Sequence, residues 1–367
     1  MNKPIPLPVK NAADPKAAAP LLTIGIDLGD HWSQLCLLNA DGEILERSRL
    51  KSSPHSFTQR FAALAPARIA IEAGTHSLWV KELLAELGHE VLVANARELR
   101  AISASDRKND KADAEKLARY ARVDPAILRP IVHRDSQTQA DLLVIRARAA
   151  LIRMRSLAIN AVRGLIKPFG YRLSACSTDS FVTRCWTELP SEYSVLLAPL
   201  LEQIASLTQQ IRSADRQVEQ LADTQYPEAA ALQQVPGVGP LTALTFVLTI
   251  DDEKRFASSR DVGCYLGLRP RQQQSGERDP QLGITKAGNG YLRMLLVECA
   301  QHVLGVFGPD TALRRWGLHL AERGGKNAKK RAIVAVARKL AVLLHRLWVT
   351  KKPYEPFYGV PAPTTTR

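Results

Sequence analysis

Hydrophobic positions in the first third of the chain fall into short runs. Leu21–Asp27 (LLTIGID), Trp32–Leu38 (WSQLCLL) and Glu43–Arg49 (EILERSR) are rich in β-formers and are separated by Gly- or Asp-containing turns. The segment NADGE at 39–43 is a tight-turn signal, so the second and third runs are expected to form a hairpin. A helix at His55–Leu64, a strand at Arg68–Glu72, a helix at Ser77–Leu87, a strand at Glu90–Ala94 and a helix from Lys111 to Arg122 follow. Three antiparallel strands and then alternating helices and strands predict a mixed α/β sheet covered on both faces, in the RNase-H-like order.

At Ser136 the pattern changes. Leu142, Ile145, Ala149, Ile152, Ser156 and Ile159 recur at three- and four-residue spacing, which puts them on one helical stripe. Arg146, Arg148, Arg153, Arg155 and Arg163 occupy much of the remaining surface, and Pro168 and Gly170 end the helix. A second periodic helix is expected from Pro190 to Asp223, interrupted at Pro199. Either helix alone fits the core of a larger bundle equally well; together they read as an arm or antiparallel coiled coil that connects and oligomerises. From Pro227 the chain is largely helical, Gly-punctuated and basic, with a last helix at Lys329–Val349 and a Pro/Thr-rich tail at Pro353–Arg367.

Charge narrows the class of partner. Fifty Lys and Arg against 36 Asp and Glu give +14, an excess that repels itself unless an anionic partner offsets it, and nucleic acid is the commonest such partner. No segment approaches the roughly 20 apolar residues needed to span a bilayer. Leu241–Ile250 is too short, and Val336–Val349 is broken by Arg338, Lys339, His345 and Arg346. The N-terminus has no apolar core of a secretory signal. Cys36, Cys176, Cys185, Cys264 and Cys299 are scattered, as reduced thiols are, with no zinc-knuckle pair. The expectation is a cytoplasmic, nucleoid-associated protein without a membrane partner.

Four acids are candidates for chemistry. Asp27 ends a strand in IGIDLG and Glu72 ends another in IAIEAG, while Asp110 and Asp113 lie three apart in KNDKADAEKLA, on one face of a helix. Strand-end carboxylates and a helical pair can converge at a sheet edge and hold two divalent cations for phosphodiester chemistry. Oxygen-only ligation selects Mg²⁺ or Mn²⁺ over zinc. Lys108 and Lys111 beside the aspartates would offset their repulsion and meet phosphate. Asp110 and Asp113 also suit an ordinary helix N-terminus, and GIDLG also begins the phosphate loop of actin-like ATPases. The order of the acids favours the nuclease-type site, and the second glycine-rich loop that an ATPase needs is not found.

The C-terminal part offers two further segments. LQQVPGVGP at 232–240 resembles a helix-hairpin-helix turn, in which Gly237 and Gly239 would aim backbone N–H groups at a phosphate; a simple αα-corner is the alternative. Residues 265–296 (YLGLRPRQQQSGERDPQLGITKAGNGYLRMLL) enclose a polar loop with Ser275, followed by Gly276 and surrounded by Arg269, Arg271, Arg278, Lys286 and Arg293. A serine among guanidinium groups could attack phosphorus. Most loop serines, however, are solvated turn residues, and no His lies near Ser275 in sequence to act as its base.

Taken together, IGIDLG, IEAG, KNDxxDA, PGVGP, GLRPRxxQSG and ITKAGNxxLRxxL resemble the DEDD-type insertion-sequence transposases of the IS-one-ten family, over about residues 21 to 350. The resemblance implies a RuvC-like (RNase-H-like) domain at 21–135 in which Asp27, Glu72, Asp110 and Asp113 bind Mg²⁺ (or Mn²⁺). It implies a helical coiled-coil arm at 136–225 and a mainly α transposase domain at 226–350. Residues 1–20 and 351–367 are expected to be tails, and the N-terminal extension is not part of the motif set. Ser275 matches the serine that forms a covalent link to DNA in the family, and Arg271, Arg278, Lys286 and Arg293 are candidate phosphate contacts. The resemblance further implies a composite active site assembled in a homo-oligomer, dimer or tetramer, that acts on element ends and target DNA and is guided by a structured RNA made by the element. A RuvC-like junction-resolving endonuclease and a noncatalytic nucleic-acid-binding protein are the competing readings.

Overall fold

The computed structural model describes residues 22–95, 110–274, 280, 282–325 and 327–358. The chain divides into two compact units at residues 134 and 135. In the first unit, β1 (Thr23–Asp27), β2 (Trp32–Leu38), β3 (Ile44–Lys51), β4 (Arg68–Glu72) and β5 (Glu90–Ala94) form one sheet in the order β3-β2-β1-β4-β5. β1, β2 and β3 are antiparallel neighbours, whereas β4 pairs parallel with both β1 and β5. The expected hairpin is present, its turn held by Asn39, whose side-chain oxygen accepts from the Asp41 and Glu43 amides. β3 runs two residues further than its hydrophobic pattern implied, because Leu50 and Lys51 still pair with Ser33 and Trp32.

Strand alternation supplies a separate core on each face. Ile24, Ile26, Leu35, Leu37, Ile69 and Ile71 pack against Phe57 and Phe61 of α1 (Pro54–Phe61) and Val80 and Leu84 of α2 (Ser77–Glu86). On the other face Cys36, Leu38, Ala70 and Ala94 meet Ala114, Leu117, Ala118 and Ala121 of α3 (Asp110–Val123). Small residues dominate the second interface because α3 lies directly on β1. A Cβ on Gly25 would stand 2.0 Å from the Ala114 carbonyl oxygen, so only glycine fits.

The second unit begins with α4 (Ser136–Leu165), capped by Asp135, which accepts from the Thr138 amide at 2.8 Å. After α5 (Phe181–Glu188) comes α6 (Ser191–Thr224), unbroken through Pro199. The expected interruption is absent for a physical reason. Proline removes one N–H, leaving the Val195 carbonyl without its helical donor, but both residues face outward, where water can replace it. α4 and α6 run antiparallel: Arg148 pairs with Asp215, Arg155 donates to Thr208 at 3.2 Å, and Ile159 shares a core with Ile204.

Two cores divide this pair. Ile159, Val162 and Ile166 join Phe181, Cys185, Leu201 and Ile204 at one end. At the other, Leu142, Ile145, Val218 and Ala222 belong to the large core of the C-terminal helices. Those helices are α7 (Pro227–Leu232), α8 (Pro240–Ile250), α9 (Ser259–Tyr265), α10 (Gly290–Leu304), α11 (Ala312–Glu322) and α12 (Ala328–Thr350). Among the described residues no helix is long and apolar enough to cross a membrane, and all five cysteines are free thiols.

Candidate active site

β1 and β4 are paired in register from Thr23–Arg68 to Ile26–Ile71. The next residue on each strand is an acid, so Asp27 and Glu72 end their strands side by side, both partly exposed. The direction of α3 brings the other acids to the same edge. Arg68, at the start of β4, donates to the Ala121 carbonyl near the end of α3 at 3.3 Å, and Arg122 reaches Ala40 in the β2–β3 turn at 2.7 Å. α3 therefore runs opposite to β1 and β4, and its first turn, Asp110 to Asp113, lies where those strands end. Asp113 is partly exposed and accepts from Lys116 Nζ at 3.1 Å. The side chain of Asp110, like that of Lys111, lies outside the described set, as does Lys108 altogether.

Among the described residues no three His, Cys, Asp or Glu side chains form a group that could hold a metal ion. The donor chemistry nevertheless fits a hard divalent cation. Asp27, Glu72 and Asp113 offer carboxylate oxygens only, they are accessible, and they emerge from adjacent elements at one end of the sheet.

Beyond Glu72 the chain turns through His76 into α2. His76 Nδ1 accepts the indole N–H of Trp79 at 3.1 Å, and Nε2 faces Asp30 Oδ1 at 3.3 Å. Asp30 lies three residues past Asp27, so this pair borders the acid edge. Sequence reasoning missed it. The available signal was GTHSLW directly after a strand-end acid, with His and Trp at helical i,i+3 spacing.

In the second unit, Ser275 and Arg278 lie outside the described residues, but the ends of their loop are described. The Arg271 amide donates to Gly283 at 3.0 Å, Thr285 donates to Arg269 at 2.9 Å, and Pro270 bridges Ile284. This two-stranded stem closes the loop. Gly267 makes it possible: its φ is +68°, and a Cβ there would meet the Ala287 amide at 2.2 Å. Arg271 is exposed, whereas Lys286 takes a left-handed φ of 56° in the stem. Arg293 lends one guanidinium nitrogen to the carbonyls of Leu266 and Ala287 at 2.9 and 2.7 Å, which ties α10 to the stem. Gly237 and Gly239 form the turn before α8, Gly237 with φ +85° and Gly239 at the helix N-cap.

A mixed five-stranded sheet between helices, with acids at the ends of adjacent parallel strands, is compatible with an RNase H-like domain of the DEDD transposases. A family model of IS110 DEDD transposases matches residues 24–169, and a model described as "Transposase IS116/IS110/IS902 family" matches residues 229–314. The transposase for insertion sequence element IS1328 of Yersinia enterocolitica is 32% identical over 288 residues, covering 76% of this chain and 82% of that protein. The transposase for insertion sequence element IS1111A of Coxiella burnetii is 28% identical over 343 residues, 90% of each chain. A pilin gene-inverting protein of Moraxella lacunata is 27% identical over 276 residues, 73% of this chain and 75% of its own.

The chain belongs to the IS110 family of DEDD transposases. It is accordingly a DNA recombinase, and family membership implies use of a divalent metal. This favours the transposase over the junction resolvase, the noncatalytic binder and the ATPase.

Proposed function

We propose that this transposase excises and inserts its element by Mg²⁺-dependent cleavage and rejoining through a serine–DNA link. In this reading residues 21–135 are the RuvC-like nuclease domain and 226–350 the transposase domain. Residues 136–225 form a coiled-coil arm, and the Gly237–Gly239 turn is a helix-hairpin-helix phosphate contact. The observation that carries the proposal is the arrival of β1, β4 and the start of α3 at one edge, each ending or beginning in an acid.

Asp27, Glu72, Asp110 and Asp113 would hold the metal, which supplies charge neutralisation at the phosphate and activation of the attacking oxygen. The Ser275 hydroxyl forms the new bond to phosphorus as one bridging P–O bond breaks, and the leaving oxygen takes up a proton. A second strand's hydroxyl then displaces Oγ and restores the serine. Each step exchanges one phosphodiester for another, so strand joining needs no external energy source. Arg271, Arg278, Lys286 and Arg293 surround that loop in sequence and suit phosphate charge.

The excess of 14 positive charges also suits a second polyanion, and we extend the proposal to an element-encoded guide RNA and a homo-oligomeric assembly. Incubating the protein with its element's end DNA, with and without RNA transcribed from the element's flanks, tests this reading. A denaturant-stable protein–DNA adduct is expected from wild type and none from Ser275→Ala. An adduct retained by Ser275→Ala rejects the serine assignment.

A further inference from the structure

Trp79 orients the His76 ring. Its indole N–H can only donate, so Nδ1 of the imidazole accepts and the ring proton sits on Nε2. The ring is held from the core outward. Fully buried Phe57 packs edge-on against Trp79, with centroids 5.2 Å apart at 74°, and Trp79 packs edge-on against His76 at 6.2 Å and 85°. The Nε2–H is thereby a rigid donor whose present acceptor is Asp30, a carboxylate 83% exposed and tethered to a loop. An exposed anionic oxygen is readily exchanged for another. His76 lies four residues past Glu72 and Asp30 three past Asp27, so the donor borders the edge where the acids gather.

From this geometry we infer that His76 is a substrate-contacting residue. Its Nε2–H donates to a non-bridging oxygen of a backbone phosphate adjacent to the scissile bond, displacing Asp30. The ring positions the strand by hydrogen bonding and transfers no proton. This inference rests on the acid edge being the cleavage site.

The test is single-turnover cleavage of the element's end DNA with Mg²⁺, with RNA transcribed from the element's flanks supplied where wild type requires it. Wild type is compared with His76→Ala, His76→Gln and Asp27→Ala. Loss of one donor to a charged oxygen is expected to slow His76→Ala about tenfold to a hundredfold at subsaturating DNA, where the rate carries both binding and positioning. His76→Gln, which retains an N–H of similar reach, recovers most of the rate. Single methylphosphonates are then placed at the phosphates flanking the cut. One position should slow wild type as much as His76→Ala does and slow His76→Ala no further.

A His76→Ala rate equal to wild type overturns the inference, as does a methylphosphonate penalty that adds fully to the mutation at every position. If His76→Ala does not fold, His76→Gln decides: a rate within about threefold of wild type together with the position-specific methylphosphonate penalty supports the contact, and a larger loss overturns it. Cleavage that survives in Asp27→Ala, or a wild type that cuts nothing, overturns the acid-edge reading and this inference with it.

Discussion

Gly25 and Ala114 touch backbone to backbone: a Cβ on Gly25 would stand 2.0 Å from the Ala114 carbonyl oxygen and 2.5 Å from the Ala118 amide nitrogen. Neither neighbour is a side chain that can rotate away. Gly25→Ala must therefore lift α3 off β1. Overpacking of this kind costs about 1–3 kcal/mol, and more where only backbone can yield. We expect a lower urea midpoint and, because α3 carries Asp110 and Asp113, a loss of cleavage larger than the stability change alone explains. A midpoint equal to wild type would show that the helix has room to move.

Asp27→Asn and Glu72→Gln keep size and remove charge at the ends of adjacent strands. Both variants should retain the wild-type circular dichroism spectrum and lose cleavage by about a hundredfold or more. Isothermal titration with Mn²⁺ should show weakened binding in each. Undiminished Mn²⁺ binding in both would remove them from the metal site.

Gly267 sits at a left-handed φ against the Ala287 backbone, at the base of the stem that closes the Ser275 loop. Gly267→Ala should disturb that stem while leaving the acid edge intact. The expected outcome is loss of the covalent DNA adduct with Mn²⁺ affinity unchanged. An adduct yield equal to wild type would show that the stem geometry is dispensable.

Asp179 provides a pH test of the helical pair. Hydrogen bonds from Arg212 and, less strongly, Arg155 hold its carboxyl below the usual carboxylate value. Because the folded pKa is lowered, the stabilisation is complete above the unfolded value near 3.8 and is lost as pH falls through the lower folded value. Asp179 is 48% exposed, so solvent screening limits the effect to about 0.5–1 kcal/mol. The difference in urea midpoint between wild type and Asp179→Asn should be constant from neutral pH down to about pH 5 and shrink steadily as pH falls below the ordinary carboxylate range. A difference that persists at the lowest pH would assign the effect to packing instead.

Much of the first unit was legible in the sequence because its signals are local. Alternation along Leu35–Leu38 and Ile69–Ile71, the Asn39–Glu43 turn and the strand-end acids each report on a few neighbouring residues. What escaped depends on residues distant in sequence. Pro199 reads as a break until its outward orientation is known. The importance of Gly25 emerges only when α3 lies on it, and Arg293 looks like a free cation until the Leu266 and Ala287 carbonyls converge on one of its nitrogens. The His76–Trp79 spacing is legible in the sequence, but the acceptor of the Nε2–H hydrogen bond, Asp30, lies 46 residues away and is seen only in the fold.

The opposed course of α4 and α6 gives their contacts a common period. Arg148 to Arg155 and Asp215 to Thr208 are both steps of seven, so each residue meets its partner again after two helical turns. Adding seven residues to each helix between those contacts would turn the far facings by only about 20° while moving the far end outward by about 10 Å. Paired insertions of seven residues, unlike insertions of other sizes, would therefore lengthen the helical pair while nearly keeping its facing residues in line.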